Sequence, residues 1–333
     1  MPLSCRPARV FATAGACKKS LFMTDLAATG SAGSPPPRGR TVAGFDVMLY
    51  AITVFAWSSS WIGLKFQTSS AVASDVSVAW RFGIASLLMF ALAAARRQRL
   101  VFALADHLRF AVMGVLLFSV NFWLFYLGGH HLASGLLSVV FSLASIGNLL
   151  LGAAFLGQPV VARVALGALV GFAGICLIFW PEIAGAEFNH DALVGLGLCV
   201  AGTVCFCVGN LVSSGVQTRG LPVMSTTAWC MAYGALTMAL LGLANGHDFA
   251  LPAEASYLLS LLWLAVVSSV IAFASYLTLL GRIGAARAGY ITVLLPIFAL
   301  MISTVAEGYQ WTAMAAAGLV AVIAGNVIVL ARR

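Results

Sequence analysis

From Asp46 to the end of the chain, five apolar segments are followed by five more that repeat them at a nearly fixed interval. Ala79-Trp80 returns as Ala228-Trp229 after 149 residues, and Ser119-Val120 and Tyr126-Leu127 return as Ser269-Val270 and Tyr276-Leu277 after 150. Gly167 and Gly174 return as Gly318 and Gly325 after 151. An odd number of spans per copy makes the second copy enter a bilayer from the opposite face. Inverted repeats of this kind build many secondary transporters. The pattern therefore predicts an all-α integral membrane protein of ten transmembrane helices, arranged as two inverted five-helix repeats.

Ten spans of about 20 residues need roughly 200 residues, and the chain has 333. They are expected at 46–65, 76–95, 108–128, 132–156, 161–181, 192–213, 223–244, 256–279, 287–306 and 311–331. Only 8% of the residues are charged, against about 25% in a soluble domain. No segment alternates as a membrane β-strand would, which argues against a barrel. Residues 1–43 are different: they are rich in Ala, Gly, Ser and Pro and hold six basic residues. Lacking the apolar core of a signal peptide, they read as a disordered cytoplasmic tail, with Met23 as an alternative start. The expected organisation is this tail, a first repeat over 44–183 and a second over 184–333. No loop is long enough to hold a separate catalytic domain.

A net charge of +8 raises nucleic acid or anionic lipid as partners. Its distribution gives a simpler reason. With the N-terminus in the cytoplasm, 16 of the 18 Lys and Arg fall in inside segments. The outer loops collect Asp75, Glu182, Glu187, Asp191, Asp248, Glu254 and Glu307, with Lys65 as the basic exception. This positive-inside bias places both termini in the cytoplasm; the expected location is the cell (inner) membrane. No folded basic domain exists to bind nucleic acid. The expected partners are the lipid bilayer and a small-molecule substrate. Gly167-xxx-Gly171 and Ala317-xxx-Ala321-xxx-Gly325 allow close helix approach, either inside the bundle or across a homodimer.

Enzymatic motifs are absent. The three lysines follow no Walker glycine pattern, and neither HExxH nor GxSxG occurs. The seven cysteines include no CxxC pair, so neither a disulfide nor a metal site is expected. His130 and His131 are adjacent and diverge by about 100° on a helix, which argues against joint ligation. No catalytic residue and no cofactor are expected.

What remains is a short inventory of polar groups inside spans, where an ionisable side chain should face the bundle interior. Arg81 lies several residues into the second span and is suited to an anionic group or to a neighbouring helix end; its repeat counterpart is Cys230. Trp57 and Trp61 share a face of the first span, either to stack on a substrate or to pack and sit at the interface, with Ser58, Ser59 and Ser60 between them. Asn121, Asn148, Ser119, Ser142, Ser145 and Tyr126 are expected as a polar patch at mid-depth. Asn210, Ser268, Ser269, Tyr276, Tyr290 and Ser303 are the comparable groups of the second half. Taken singly, each is better suited to joining helices than to contacting substrate; as a set they suggest a cavity lined by neutral polar and aromatic groups. Pro296 interrupts the ninth span as a hinge or binding element. Glu307, at that span's end, either couples transport to protons or serves the first turn of the tenth span.

These residues resemble the EamA family of the drug/metabolite transporter superfamily over about 46–331. Trp57, Ser59 and Lys65 match its first-span W-G-S-N-F-x-x-x-K pattern, with Ser58 and Ser60 in place of Gly and Asn. Arg81 matches an arginine of its second span, and Pro296 and Glu307 match the ending of its ninth. Gln158 and Ser145 depart from it, standing where the family has Glu and proline. The resemblance implies a secondary transporter or facilitator that exports amino acids, their derivatives or other small metabolites by alternating access. Trp57, Ser60, Arg81, Asn121, Tyr126, Asn148, Asn210, Tyr276 and Pro296 are the expected substrate contacts, with Glu307 as the coupling residue. Proton-coupled export of lipophilic cations is a second reading, and it wants a buried acid on an early helix. A non-transporting scaffold or sensor is a third, and it wants a soluble partner domain or long loops.

Overall fold

The structure, a computed structural model, describes residues 44–156, 162–184, 190–217, 219–283 and 291–330. The segment 1–43, Gln158, Glu187, Arg287, Tyr290 and the terminal Arg332 and Arg333 lie outside the described residues. Every regular element among the described residues is helical.

The first half comprises α1 (Gly44–Thr68), α2 (Ser74–Ala95), α3 (Leu104–Val115, then Leu116–Val120 and Asn121–Gly129), α4 (Ser134–Ser142 and Ala144–Leu156) and α5 (Ala162–Ala184). The second comprises α6 (His190–Gln217), α7 (Val223–Ala244), α8 (Ala255–Leu262, then Trp263–Ile271 and Ala272–Ile283), α9 (Ile291–Glu307) and α10 (Ala313–Leu330). Among the described residues, seven helices are long and apolar enough to cross a membrane, and three shorter apolar stretches lie in α5, α9 and α10. The chain is thus a multi-pass membrane protein. Large apolar side chains such as Phe55, Leu87, Leu169 and Val320 are exposed, as a surface solvated by lipid requires.

The helices pack in a pattern that repeats under a shift of five. α5 packs along α10, α2 along α7, and α4 against α9. The contact of α1 with α8 is matched by that of α6 with α3, and the contact of α1 with α9 by that of α6 with α4. The seam between α5 and α10 shows why glycine is needed there. A Cβ on Gly167 would stand 2.7 Å from the Gly325 carbonyl oxygen, and one on Gly174 would stand 2.7 Å from that of Gly318. The two helices are antiparallel, and backbone meets backbone at two equivalent places. The small-residue stripe is occupied within the chain.

Irregularities also come in pairs. Leu116–Val120 in α3 and Trp263–Ile271 in α8 are π-helical, and the 150-residue offset carries the first onto residues inside the second. α4 breaks at Leu143, whereas α9 contains Pro296 at the counterpart of Ser145. α4 has no proline at its break, but hydroxyls flank it: Ser142 Oγ donates to the Val139 carbonyl at 2.7 Å and Ser145 Oγ to that of Ser142 at 3.1 Å. Such back-bonding competes with the helix's own ladder. Interruptions inside a span are tolerated where the bundle re-satisfies the backbone, and they gather at functional sites.

Candidate functional site

Arg81 sits seven residues after the start of α2, about 10 Å along the helix. It is 3% exposed. Its Nε–H donates to Ser269 Oγ at 3.4 Å, in the π-helical stretch of α8. The rings of Phe122 and Phe82 lie 4.5 and 5.0 Å from its guanidinium carbon, an aromatic contact that offsets part of the cost of a buried cation. The Tyr126 hydroxyl lies beside the guanidinium and donates to Oε1 of Gln67. Nearby, the hydroxyls of Ser77 and Tyr257 meet at 3.1 Å. Side chains from α1, α2, α3 and α8 therefore converge on one buried cation. Among the described residues no ion pair involves Arg81; the pairs formed are Asp106 with Arg109 and Arg219, Asp75 with His247, and Asp46 with Arg282.

Trp57 and Tyr276 adjoin this cluster from α1 and α8. Trp57 donates from Nε1 to the Ser268 carbonyl at 3.2 Å, and its ring lies 5.1 Å from that of Tyr276 and 5.5 Å from that of Phe273. Trp61, in contrast, is buried against Phe125 and Phe141. The two tryptophans thus serve different neighbours, and Trp61 is a core residue rather than an interfacial one. Ser60 Oγ donates to the Trp57 carbonyl at 2.6 Å within its own helix. Pro296 is buried in α9, and Ser58 Oγ donates at 3.4 Å to the carbonyl of the preceding Leu295.

The mid-depth polar patch expected in the first half is divided in the structure. Asn210 Nδ2 donates to Asn148 Oδ1 at 3.3 Å, which joins α6 to α4. Ser142 and Ser145 instead bond Asn326 of α10. Tyr126 belongs to the Arg81 cluster. Asn121 directly follows the first π-helical stretch; its Nδ2 and the Ser119 hydroxyl are both buried without a partner among the described residues. The reason for the division is angular: Ser142 and Ser145, three apart, share the face of α4 that meets α10, whereas Asn148 lies on the side that meets α6.

Glu307 caps a different helix from the one foreseen. Its carboxylate accepts from Ser134 N–H at 2.9 Å, from Ser134 Oγ at 2.7 Å and from Ser303 Oγ. The carboxylate thus caps α4 rather than the first turn of α10, and the α4 dipole favours it there. Lys65 Nζ donates to the Gly129 carbonyl at 3.2 Å, at the end of α3. The two side chains therefore hold opposite ends of the turn between α3 and α4. In that turn, burial and the neighbouring Lys65 and His131 push the His130 imidazole below its usual range.

Gln67 and Asn326 were not foreseen. Gln67 lies in the polar run Gln67-Thr68-Ser69-Ser70, which reads as the start of a loop, but α1 continues to Thr68 and carries it inward. Asn326 near the end of a chain looks like an interfacial amide, and only the packing of α10 on α4 shows otherwise.

The chain matches the EamA-like transporter family over residues 45–180 and 189–331. An uncharacterized transporter of Archaeoglobus fulgidus is 24% identical over 86% of this chain and 99% of its own length. A probable amino-acid metabolite efflux pump of Salmonella typhimurium is 25% identical over 58% of this chain and 66% of its own. Its namesake in Escherichia coli is 22% identical over 65% and 71%. A solved crystal structure shares the fold with a TM-score of 0.61 at 18% identity, covering 85% of this chain and 95% of the other. Seven membrane-length helices, their doubled packing and a match across both halves agree: this chain belongs to the EamA-like transporter family.

Proposed function

We propose that this protein is an inner-membrane secondary transporter that exports a small polar or amphipathic metabolite, an amino acid or a derivative, by alternating access. It does so as a carrier, with no enzymatic step. In this reading all ten helices cross the bilayer, both termini are cytoplasmic, and residues 44–183 and 184–333 form inverted halves. The observation that carries it is the buried cation Arg81, held where α1, α2 and α3 of one half meet α8 of the other. A site shared between halves changes its surroundings when the halves rock against each other. The paired π-helical stretches and the Leu143 and Pro296 interruptions supply places for such movement. Relatives named as amino-acid metabolite efflux pumps support the direction and the substrate class.

Export of lipophilic cations wants a buried acid on an early helix; Asp46 on α1 and Asp75 on α2 are buried, but Asp46 is engaged by Arg282 and Asp75 by His247, which leaves the cation reading second. Glu307 is assigned to coupling because it holds the first turn of α4, so that its protonation would loosen one end of the bundle.

The test is export from proteoliposomes loaded with a mixture of small metabolites, the lost species being identified by mass spectrometry. Loss of one or a few species, beyond protein-free vesicles, is expected. No selective loss in either direction, with folded protein present, would remove the transport reading.

A further inference from the structure

Hydrogen-bond supply and demand around Arg81 do not balance. A guanidinium carries five N–H donors and no acceptor. Among the described residues its polar neighbours are neutral oxygens: Ser269 Oγ at 3.4 Å, a long contact, and the Tyr126 hydroxyl. That hydroxyl spends its own proton on Gln67 Oε1. Gln67 is thereby fixed with its amide nitrogen buried, and Nε2 finds no acceptor among the described residues. Phe122 and Phe82 contact the guanidinium as rings do, electrostatically, leaving its in-plane N–H groups to be satisfied by acceptors.

A buried cation without a counter-charge is costly, and so is a buried donor without an acceptor. Both deficits vanish if the same group enters: one that is negatively charged, rich in acceptor oxygens and planar enough to meet the guanidinium fork. A carboxylate fulfils all three conditions.

We infer that Arg81 and Gln67, aligned by Tyr126, form an anion subsite that binds the carboxylate of the transported molecule. This rests on the carrier reading above and narrows it: the substrate travels as a carboxylate, and its uncharged amide is a poor substitute. The subsite occurs once, with no copy at the positions related by the repeat. Cys230 stands at the counterpart of Arg81, so one end of the substrate meets the cation and the other meets the aromatic groups Trp57, Phe273 and Tyr276. Opening of the bundle admits the substrate; in the closed arrangement the oxygens of Tyr126 and Ser269 stand in for it.

Binding is measured apart from transport, on the full chain in lipid nanodiscs. The probes are N-acetylleucine and N-acetylleucinamide, which share a shape and differ by one charge, read by the shift in thermal unfolding midpoint across a titration. The wild type should bind the carboxylate about ten-fold or more tightly than the amide, as a charged hydrogen-bonded contact requires. Arg81→Gln should abolish that preference. Arg81→Lys, which keeps the charge, should retain part of it, and Gln67→Ala should weaken carboxylate binding while sparing the amide. Should Arg81→Gln fail to fold, the Arg81→Lys and Gln67→Ala titrations decide. Equal response of the wild type to both probes, including none to either, or an undiminished preference in the variants, overturns the subsite. Selective export of uncharged species from the loaded vesicles would overturn it while leaving the carrier reading intact. Carboxylate binding without any selective export would do the reverse.

Discussion

Arg81 on α2 reaches Ser269 on α8 across 3.4 Å, and the offset that relates the two halves turns this pair into Cys230 and Ser119. The Ser119 hydroxyl is buried and has no partner among the described residues. A thiol replaces the guanidinium there, so the link between a second helix and a π-helical stretch is made once, not twice. The frame is nearly symmetric; its polar interior is not.

The Tyr126 hydroxyl connects Gln67 to Arg81, so Tyr126→Phe leaves two buried groups short of partners. The expected loss is about 1–3 kcal/mol of stability, read as a lower thermal unfolding midpoint in nanodiscs. Ser269→Ala, which removes only a long contact, should cost less. A Tyr126→Phe midpoint equal to the wild type would show that this chain of hydrogen bonds contributes nothing to stability.

Gly174→Ala and Gly83→Ala make the same chemical change with opposite consequences. A Cβ at Gly174 meets the Gly318 carbonyl oxygen and the Val322 nitrogen, both at 2.7 Å and both backbone, whereas one at Gly83 meets nothing within 4 Å. The first should destabilise by about 1–3 kcal/mol through overpacking. The second should stabilise α2 by about 0.5–1 kcal/mol through reduced backbone entropy. Comparable midpoints for the two variants would mean that α5 and α10 do not approach as described.

Replacing Glu307 by Gln removes the charge that caps α4 and puts an amide NH₂ where an acceptor oxygen stood. A loss of about 1 kcal/mol is expected from the cap. If the carboxylate also couples transport, the variant should exchange substrate across the membrane yet fail to accumulate it against a gradient under an imposed proton gradient. Full uphill accumulation by the variant would remove the coupling role.

His130 lies outside the spans, and its imidazole titrates below its ordinary value because of burial, Lys65 and His131. At pH values between the folded and unfolded values, the unfolded chain therefore holds more protons than the folded one. Stability from this group is complete above the ordinary value and declines as pH falls below it. The wild-type midpoint should drop on acidification through this window, and His130→Gln should drop less. Identical pH profiles would assign the acid sensitivity to other groups.

Much of the fold was legible because its causes are local and periodic. Helix α7 begins and ends at the residues expected, and α2 and α5 start and end within three residues of their expected bounds. α1 runs further than expected because Gln67 and Thr68, polar in the sequence, are buried in the structure. The site was less legible. Arg81, Tyr126 and Ser269 were foreseen, since a charge or a phenol inside a span demands an explanation. Asn148, Asn210, Ser142 and Ser145 were equally visible, but the chain has no local signal for which helix each one faces. Gln67 gave no signal, because a glutamine near a helix end has the same composition whether it faces solvent or a guanidinium.

By itself the sequence determined that the chain lies in a membrane and is built twice over, because lipid imposes length and polarity on each segment independently of the rest. Which polar groups meet was decided by tertiary structure alone. Gln67, Arg81, Tyr126 and Ser269 are far apart along the chain and come from four helices. Their meeting depends on helix rotations and crossing depths that the packed backbones of pairs such as α5 and α10 set collectively, so no single segment encodes it.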